Sequence, residues 1–250
     1  MKDKTTTSNS YTELQKLRHG HKPIPLPKEQ VIAMTGAARA SSIGEAIFNS
    51  LSPNAKDIQK INDDVRGTVF LPREANVLLM CHGVMHLDWI EDCPEAKMEE
   101  VLDVNLLSMA VLIKQFVKNS IDLPTRKQIV VIGSMAHNHV LNGSAVYCAS
   151  KAGLNMLIKC LAWELAPKGF DLYCINPSNT AGTPMTEDTV RGLMRYRDLT
   201  RAEAEGYWGA SNPRVDWLSP KNIADLVEFI LSGKGQYLSG CNLDLAGGQR

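Results

Sequence analysis

The 250-residue chain has no C-x-x-C pair, and its six cysteines (81, 93, 148, 160, 174 and 241) are widely scattered. That spacing excludes a zinc ribbon and a small disulfide framework. It predicts reduced, largely buried thiols in a cytoplasmic protein and no metal site. No apolar run reaches the about 18 residues that a membrane span needs, and the opening MKDKTTTSNS lacks the apolar stretch of a signal peptide. Charge of one sign is not in excess: 27 basic and 27 acidic side chains cancel, which gives no support for nucleic acid or an anionic membrane as the main partner. Internal repeats and low-complexity tracts are lacking, and so is the glycine pattern G-x-G-x-x-G of dinucleotide-binding turns. What remains is an ordinary globular composition, 44% hydrophobic and 22% charged, on a chain long enough for one large α/β domain.

Residues 1–29 are polar and end in HKPIPLPKEQ, whose three prolines impose an extended path. Within them YTELQKLRHG predicts one short helix, with Leu14 and Leu17 on one side, so this segment reads as an extension. From residue 30 to 250 the pattern alternates. VIAMTG, DIQKI, NVLLMCHG, QIVVIGS, FDLYCINPS and CNLDLAGG read as strands. IGEAIFNSL, MEEVLDVNLLSMAVLIKQFVKNSI, AVYCASKAGLNMLIKCLAWELAPKG and PKNIADLVEFILSG read as helices, the third ended by Gly169. Apolar strands separated by helices predict a single doubly wound α/β domain, a parallel Rossmann-type sheet with helices on both faces. Gly83 comes only 48 positions after Thr35, so the helix between the second and third strands is expected to be missing or reduced to a turn.

In such a sheet ligands bind beyond the carboxyl ends of the strands. The first strand runs into TGAARASSIGEA, where Gly36, Arg39, Ser42, Ile43 and Gly44 offer a small-residue turn and a helix start to a phosphate. The third ends in Cys81-His82-Gly83. Asn105 interrupts the apolar LDVNLLSM, where a buried amide needs a partner, either water or a neighbouring side chain. Ser134 follows the fourth strand, and Pro177-Ser178 follow the fifth. Tyr147 and Lys151 in Y-C-A-S-K lie on one face of a helix, where an ammonium beside a phenol favours the phenolate and makes a usable acid/base.

The combination resembles the short-chain dehydrogenase/reductase family, of the type with a Tyr-x-x-x-Lys active site. The matching stretches are TGAARASSIGEA, CHGV (where the family usually writes Asn-Asn-Ala-Gly), DVN, the GS before Tyr147, YCASKAG, INPSNTAGTPM and LDLAGG. Order and spacing agree from about residue 30 to 248. The resemblance implies that Tyr147 exchanges a proton with a carbonyl or alcohol oxygen and that Ser134 holds that oxygen. It further implies that Lys151 lowers the pKa of Tyr147 and bonds the nicotinamide ribose, and that Asn105 anchors a water relaying protons to Lys151. Gly36, Arg39, Ser42, Ile43, Gly44, Asp64, Val65, Cys81, His82, Gly83, Tyr147, Lys151, Pro177, Ser178 and Thr183 then form the cofactor site.

The first loop, Gly36-x5-Ser42-x-Gly44, is two residues longer than the family's usual form. It is similar to that of enoyl-acyl-carrier-protein reductases, which however place their Tyr and Lys seven apart; the spacing of four here favours carbonyl or alcohol chemistry. Arg39 and Lys60 point to NADP and Asp63 and Asp64 to NAD, while Asp64-Val65 also resembles the family's adenine-contacting Asp-Val pair; Arg39 tips the reading to NADP. Residues 185–217, with five arginines, Tyr207, Trp208 and Trp217, fall where the family carries its substrate lid. Arginine and tryptophan there suit an anionic or ring-bearing substrate, whereas six acidic residues in the same segment suit a solvated helical face, the reading favoured. The His137-Asn138-His139 run is placed to touch substrate or cofactor, or reads as a surface loop; His82 and His86 are assigned no metal. The expected partners are a small carbonyl or alcohol substrate and further copies of the chain, as a dimer or tetramer through the helices holding Asn105 and Tyr147. A 3-oxoacyl, sugar or polyketide-type compound all fit as substrate. The alternative is a nicotinamide-binding sensor or scaffold without turnover, favoured only by the altered loop.

Overall fold

The computed structural model describes residues 29–209, 213–214 and 217–249. The helix expected in YTELQKLRHG and the proline path up to residue 28 lie outside them. Six strands, β1 (Val31–Thr35), β2 (Asp57–Ile61), β3 (Val77–Met80), β4 (Lys127–Ile132), β5 (Phe170–Pro177) and β6 (Asn242–Leu245), form one parallel sheet in the order β2-β1-β3-β4-β5-β6. The chain steps outward from β1 to β2, then crosses back to place β3 on the other side of β1. That reversal opens a crevice above the carboxyl ends of the strands.

Side-chain alternation along the strands divides the core in two. Ala33, Leu78, Met80, Ile129, Val131 and Leu172 point to one face, where they meet Met109, Leu112, Phe116, Leu154 and Ile158. Ile32, Met34, Val77, Leu79, Val130 and Ile175 point to the other, against Ile47, Leu51, Ile223, Val227 and Ile230. The first set of helical residues comes from α3 (Ser108–Ser120) and α4 (Ala145–Leu165), the second from α1 (Ile43–Leu51) and α7 (Pro220–Leu231). The order and type of the strands and helices follow the sequence reading. Between β2 and β3 no helix forms; residues 62–76 run as turns and extended chain, and Val69, Leu71 and Ala75 fill the first core in its place.

Two expectations need correction. The long helix through Asn105 is not one α-helix: α2 (Glu95–Leu102) passes into α3 through a π-turn at Asp103–Leu107. The polar residue is accommodated by a wider turn that brings it inward. Nor are the thiols largely buried: Cys174 is, but Cys160 on α4 and Cys241 before β6 are exposed.

Residues 184–209 form α5 (Pro184–Arg197) and α6 (Arg201–Gly209). Val190, Leu193 and Ala204 pack with Leu87 in a third apolar cluster, and the Tyr196 hydroxyl donates to the Asn142 carbonyl at 2.6 Å. The α5–α6 pair is thus docked on the segments that follow β3 and β4.

Candidate active site

A cleft of about 770 Å³ runs along the carboxyl ends of the strands, from Asp63, Asp64, Val65 and Arg66 after β2 to Met185 and Thr186 on α5. Between them its walls include Gly36, Arg39, Ser42 and Ile43 after β1, Cys81, His82 and Gly83 after β3, and Ser134 after β4. Tyr147 and Lys151 of α4 and Pro177, Ser178 and Thr183 after β5 complete it. Of the site residues expected from sequence, only Gly44 and Asn105 lie behind the wall instead of on it.

The glycines are where backbones must touch. Gly36 has φ +74°, and a Cβ there would stand 2.4 Å from the His82 nitrogen. A Cβ on Gly44 would stand 2.2 Å from the Gly36 carbonyl oxygen, so the start of α1 packs directly on the turn. Ser42 caps α1, its Oγ accepting from the Glu45 N–H at 3.0 Å, while the Glu45 carboxylate accepts from the Ser41 N–H at 2.6 Å. Ser41 adopts φ +57°, an uncommon conformation for serine. The acceptor role of Ser42 leaves its hydroxyl proton for a phosphate oxygen.

Tyr147 and Lys151 share the inner face of α4 and are 5% and 2% exposed. The Lys151 ammonium donates to the Ile132 carbonyl at 3.3 Å and lies 5.7 Å from the centre of the Tyr147 ring. Burial lowers its pKa to about 8. Burial also raises the Tyr147 phenol to about 12, against a hydrogen bond from Ser134 that pulls it down. The direction at Tyr147 is opposite to that expected from its lysine neighbour, because loss of water around a buried phenolate outweighs the nearby charge. Asn105 is fully buried and clamps the backbone before this pair: its Oδ1 accepts from the Val84 N–H at 2.9 Å, and its Nδ2 donates to the Val84 carbonyl at 2.8 Å and to Ser150 Oγ at 3.1 Å. A Cβ on Gly83 would stand 3.3 Å from Asn105 Oδ1 and 3.5 Å from Lys151 Nζ.

Several participants escaped the sequence reading. Asn155 and Asn176 exchange amide hydrogen bonds at 3.0 and 3.1 Å; Asn155 also donates to the Lys151 carbonyl, and Asn176 Oδ1 accepts from the Ser134 N–H at 3.2 Å. Asn176 further donates to Asp244 at 2.8 Å, which pairs with His137 at 3.1 Å. One polar chain therefore ties α4, β5, β6 and the Ser134 turn together. The available signal was polar residues in apolar strands, Asn176 in YCINP and Asp244 in CNLDL. The His82 ring is likewise tied into the fold. Its Nδ1 lies 2.6 Å from Thr35 Oγ1 and its Nε2 3.0 Å from Ser108 Oγ, which itself donates to the Val104 carbonyl. Ser108 must then accept, so the proton sits on Nε2 and Nδ1 accepts from Thr35. Burial, helped by the charge of Lys151, lowers this imidazole to about 4, so it is neutral at physiological pH.

The cationic candidates are redistributed. Lys60 lies 3.5 Å over the Phe48 ring, away from the cleft wall. Arg39 stays on the wall, paired with Asp188 of α5 at 3.2 Å. Arg66, unremarked in the sequence, joins it there and forks onto Asp64 at 2.7–3.2 Å. Among the arginines of α5 and α6, Arg191 and Arg201 pair with Glu187, Arg195 donates to the Leu87 carbonyl at 2.7 Å, and Arg197 stacks over Tyr207 at 4.3 Å. These contacts fit the solvated-face reading of this segment. His139 lines the cleft, whereas His137 turns away to Asp244.

A cleft meant for a polar ligand should hold polar atoms that the protein itself leaves unsatisfied. Ser178 Oγ and Gln249 Oε1 are buried in this cleft with no hydrogen-bond partner among the described residues. With the glycine turn and a capped helix start, these groups fit a dinucleotide.

The short chain dehydrogenase family model matches residues 30–193. The vibriobactin-specific 2,3-dihydro-2,3-dihydroxybenzoate dehydrogenase of Vibrio cholerae is 26% identical over 171 residues; the match spans 68% of this chain and 64% of that relative's length. Among solved structures, NAD⁺-bound xylitol dehydrogenase superposes with a TM-score of 0.77 at 20% identity, covering 88% of this chain and 98% of that one. A single-residue variant of actinorhodin polyketide ketoreductase with NADPH gives 0.77 at 19%, covering 90% and 98%.

Proposed function

We propose that this chain, which belongs to the short-chain dehydrogenase/reductase family, moves a hydride between a nicotinamide dinucleotide and the carbon of a ketone or secondary alcohol. The observation that carries this reading is the convergence of Ser134, Tyr147 and Lys151 on the wall of a cleft that also holds a glycine turn and a helix start. The bound dinucleotide would supply or accept the hydride.

The protein's share is proton and position. A phenol held protonated at neutral pH suits donation from Tyr147 Oη to a carbonyl oxygen, and in the other direction the same atom takes the proton back. Ser134 would hold that oxygen, a neutral form of oxyanion stabilisation. Lys151, with its pKa near 8, is still mainly an ammonium at neutral pH; it would hold the ribose and stabilise the phenolate as the proton leaves. Asn105, by fixing Val84 and Ser150, would position the segment beside Lys151 and anchor a water that feeds it protons.

Arg39 and Arg66 on the wall after β1 and β2 support NADP, since either suits a 2′-phosphate; the carboxylates of Asp63 and Asp64 support NAD. Residues 185–217 would act as the substrate lid. Exposed Leu107, Val111, Met156 and Trp163 on the helices around Asn105 and Tyr147 support a dimer or tetramer through those faces. Among the described residues no helix is long and apolar enough to cross a membrane.

Titration of the purified chain with NADPH and NADH, followed by cofactor fluorescence, tests the reading. Micromolar binding of one, with its consumption by a carbonyl compound, is expected. Binding without any turnover favours the scaffold reading, and binding of neither refutes both.

A further inference from the structure

The cleft changes character along its length. Arg39, Asp63, Asp64, Arg66 and Glu100, its charged residues apart from Lys151, come from the turns after β1 and β2 and from α2. Past Tyr147, the loops after β3 and β4 and the two lid helices contribute Val84, Met85, Val140, Leu141, Met185 and Tyr207, beside His139 and the short polar side chains that follow β5. The lid's cations are used elsewhere: Arg191 and Arg201 on Glu187, Arg195 on the Leu87 carbonyl, Arg197 on the Tyr207 ring. Even the hydroxyl of Thr189, which lines this end, is turned inward onto the Met185 carbonyl at 2.8 Å and the Met85 sulfur at 3.5 Å. The Thr180, Thr183 and Thr186 hydroxyls are likewise committed to one another and to backbone carbonyls. With the unsatisfied Ser178 and Gln249 atoms assigned to the dinucleotide, a wall mainly of aliphatic and thioether side chains, with His139 as its polar exception, solvates poorly a carboxylate or a row of hydroxyls.

We propose that the carbonyl compound taken here is uncharged and carries an apolar body, an aliphatic or aryl ketone or the matching secondary alcohol, and that sugars and acids are excluded. This rests on the oxidoreductase reading for what happens at Tyr147, but the recognition is separable from turnover. Flexible methionines at positions 85 and 185 adapt to apolar groups of different shape, so tolerance of chain length goes with rejection of charge. A carboxylate entering this chamber would lose its hydration beside Lys151 and an Arg39 already paired with Asp188, and a ketose would strip several hydroxyls of water with few replacement bonds.

The test uses the full chain loaded with the oxidised form of its preferred nicotinamide cofactor, so that ketones bind without being reduced. Three probes are compared by calorimetry: an unbranched methyl ketone, the same ketone with its far end oxidised to a carboxylate, and a ketose of similar size. The neutral ketone is expected to bind at least about 100-fold more tightly than either of the others. Met185→Lys, at a half-buried position on the first turn of α5, is expected to move the preference toward the carboxylate by about 10-fold or more. Equal or tighter binding of the carboxylate or the ketose overturns the proposal, as does failure of the neutral ketone to bind. Turnover of the same ketone with reduced cofactor is then read separately. Selective binding without reduction sinks the catalytic reading and leaves the substrate class standing.

Discussion

Asn105→Ala should destabilise the chain by an amount the structure lets one work out. The side chain is fully buried and satisfies two backbone groups of one residue, the N–H and the carbonyl of Val84, at 2.9 and 2.8 Å. Its third bond, to Ser150 Oγ, is dispensable, because that hydroxyl also donates to the Tyr147 carbonyl at 2.7 Å. Leaving a buried donor or acceptor unsatisfied costs about 1–3 kcal/mol each, so the two together cost about 2–6 kcal/mol, the lower end applying where water enters the gap. Even that lower end lowers Tm by about 4–8 °C in a chain of this size. Urea unfolding followed by circular dichroism measures it, with an unchanged m-value as the sign that the native fold is intact. Asn105→Asp keeps the acceptor for Val84 and loses the donor, so its loss should fall between alanine and wild type unless the buried charge adds its own cost. A loss below about 0.5 kcal/mol for alanine would refute the clamp and leave Asn105 no structural reason to interrupt its helix.

Tyr147→Phe should cut kcat by about 100-fold or more while leaving cofactor affinity within a few-fold, as rate and fluorescence titrations would show; full activity removes the phenol from the reaction. Lys151 has its pKa lowered to about 8 in the fold from 10.5. The unfolded chain therefore binds the extra proton between those values, and stability rises with pH across that window. Lys151→Met should flatten the rise, by up to about 1.4 kcal/mol per pH unit, in urea midpoints taken from pH 8 upward. His82 has the same sign at acid pH. Its pKa falls from 6.5 to about 4, so its contribution is complete above 6.5 and is lost as pH drops toward 4. His82→Gln should remove that part of the acid sensitivity, and an unchanged acid profile would place the lability elsewhere.

The fold was largely legible because each strand and helix carried its own signal. VIAMT, DIQKI and VLLM are apolar or β-prone and bounded by turn residues, and they became β1, β2 and β3. The missing helix before β3 was legible from chain length alone, since fifteen residues between strands leave little room for one. Positions beyond strand ends were legible for the same reason, and most of the expected site residues do line one cleft. What the sequence hid was pairing between distant side chains. Arg39 meets Asp188, and Lys60 meets Phe48, through tertiary packing that no local pattern encodes. The Asn155–Asn176 pair and the His82 bridge were hidden likewise, because a buried amide or imidazole announces only that it needs partners. The π-turn lay beyond periodicity counting, since apolar residues flank it on both sides.

That turn has a consequence for how the chain tolerates change. A π-turn holds one residue more than an α-helical turn, and each residue rotates a helix by about 100°. Val101 before the turn and Met109, Leu112 and Phe116 after it are all buried, so the extra residue is what keeps the two segments in phase. Deleting any one residue from Asp103–Leu107 would restore an ordinary helix and turn everything upstream by more than a quarter of a revolution. Val101 would swing out of its buried position, and Asn105 would lose its register with Val84 after Gly83. Single-residue deletions there should be as damaging as deletions inside a strand, while substitutions at the exposed Leu107 should pass almost unnoticed in the isolated chain.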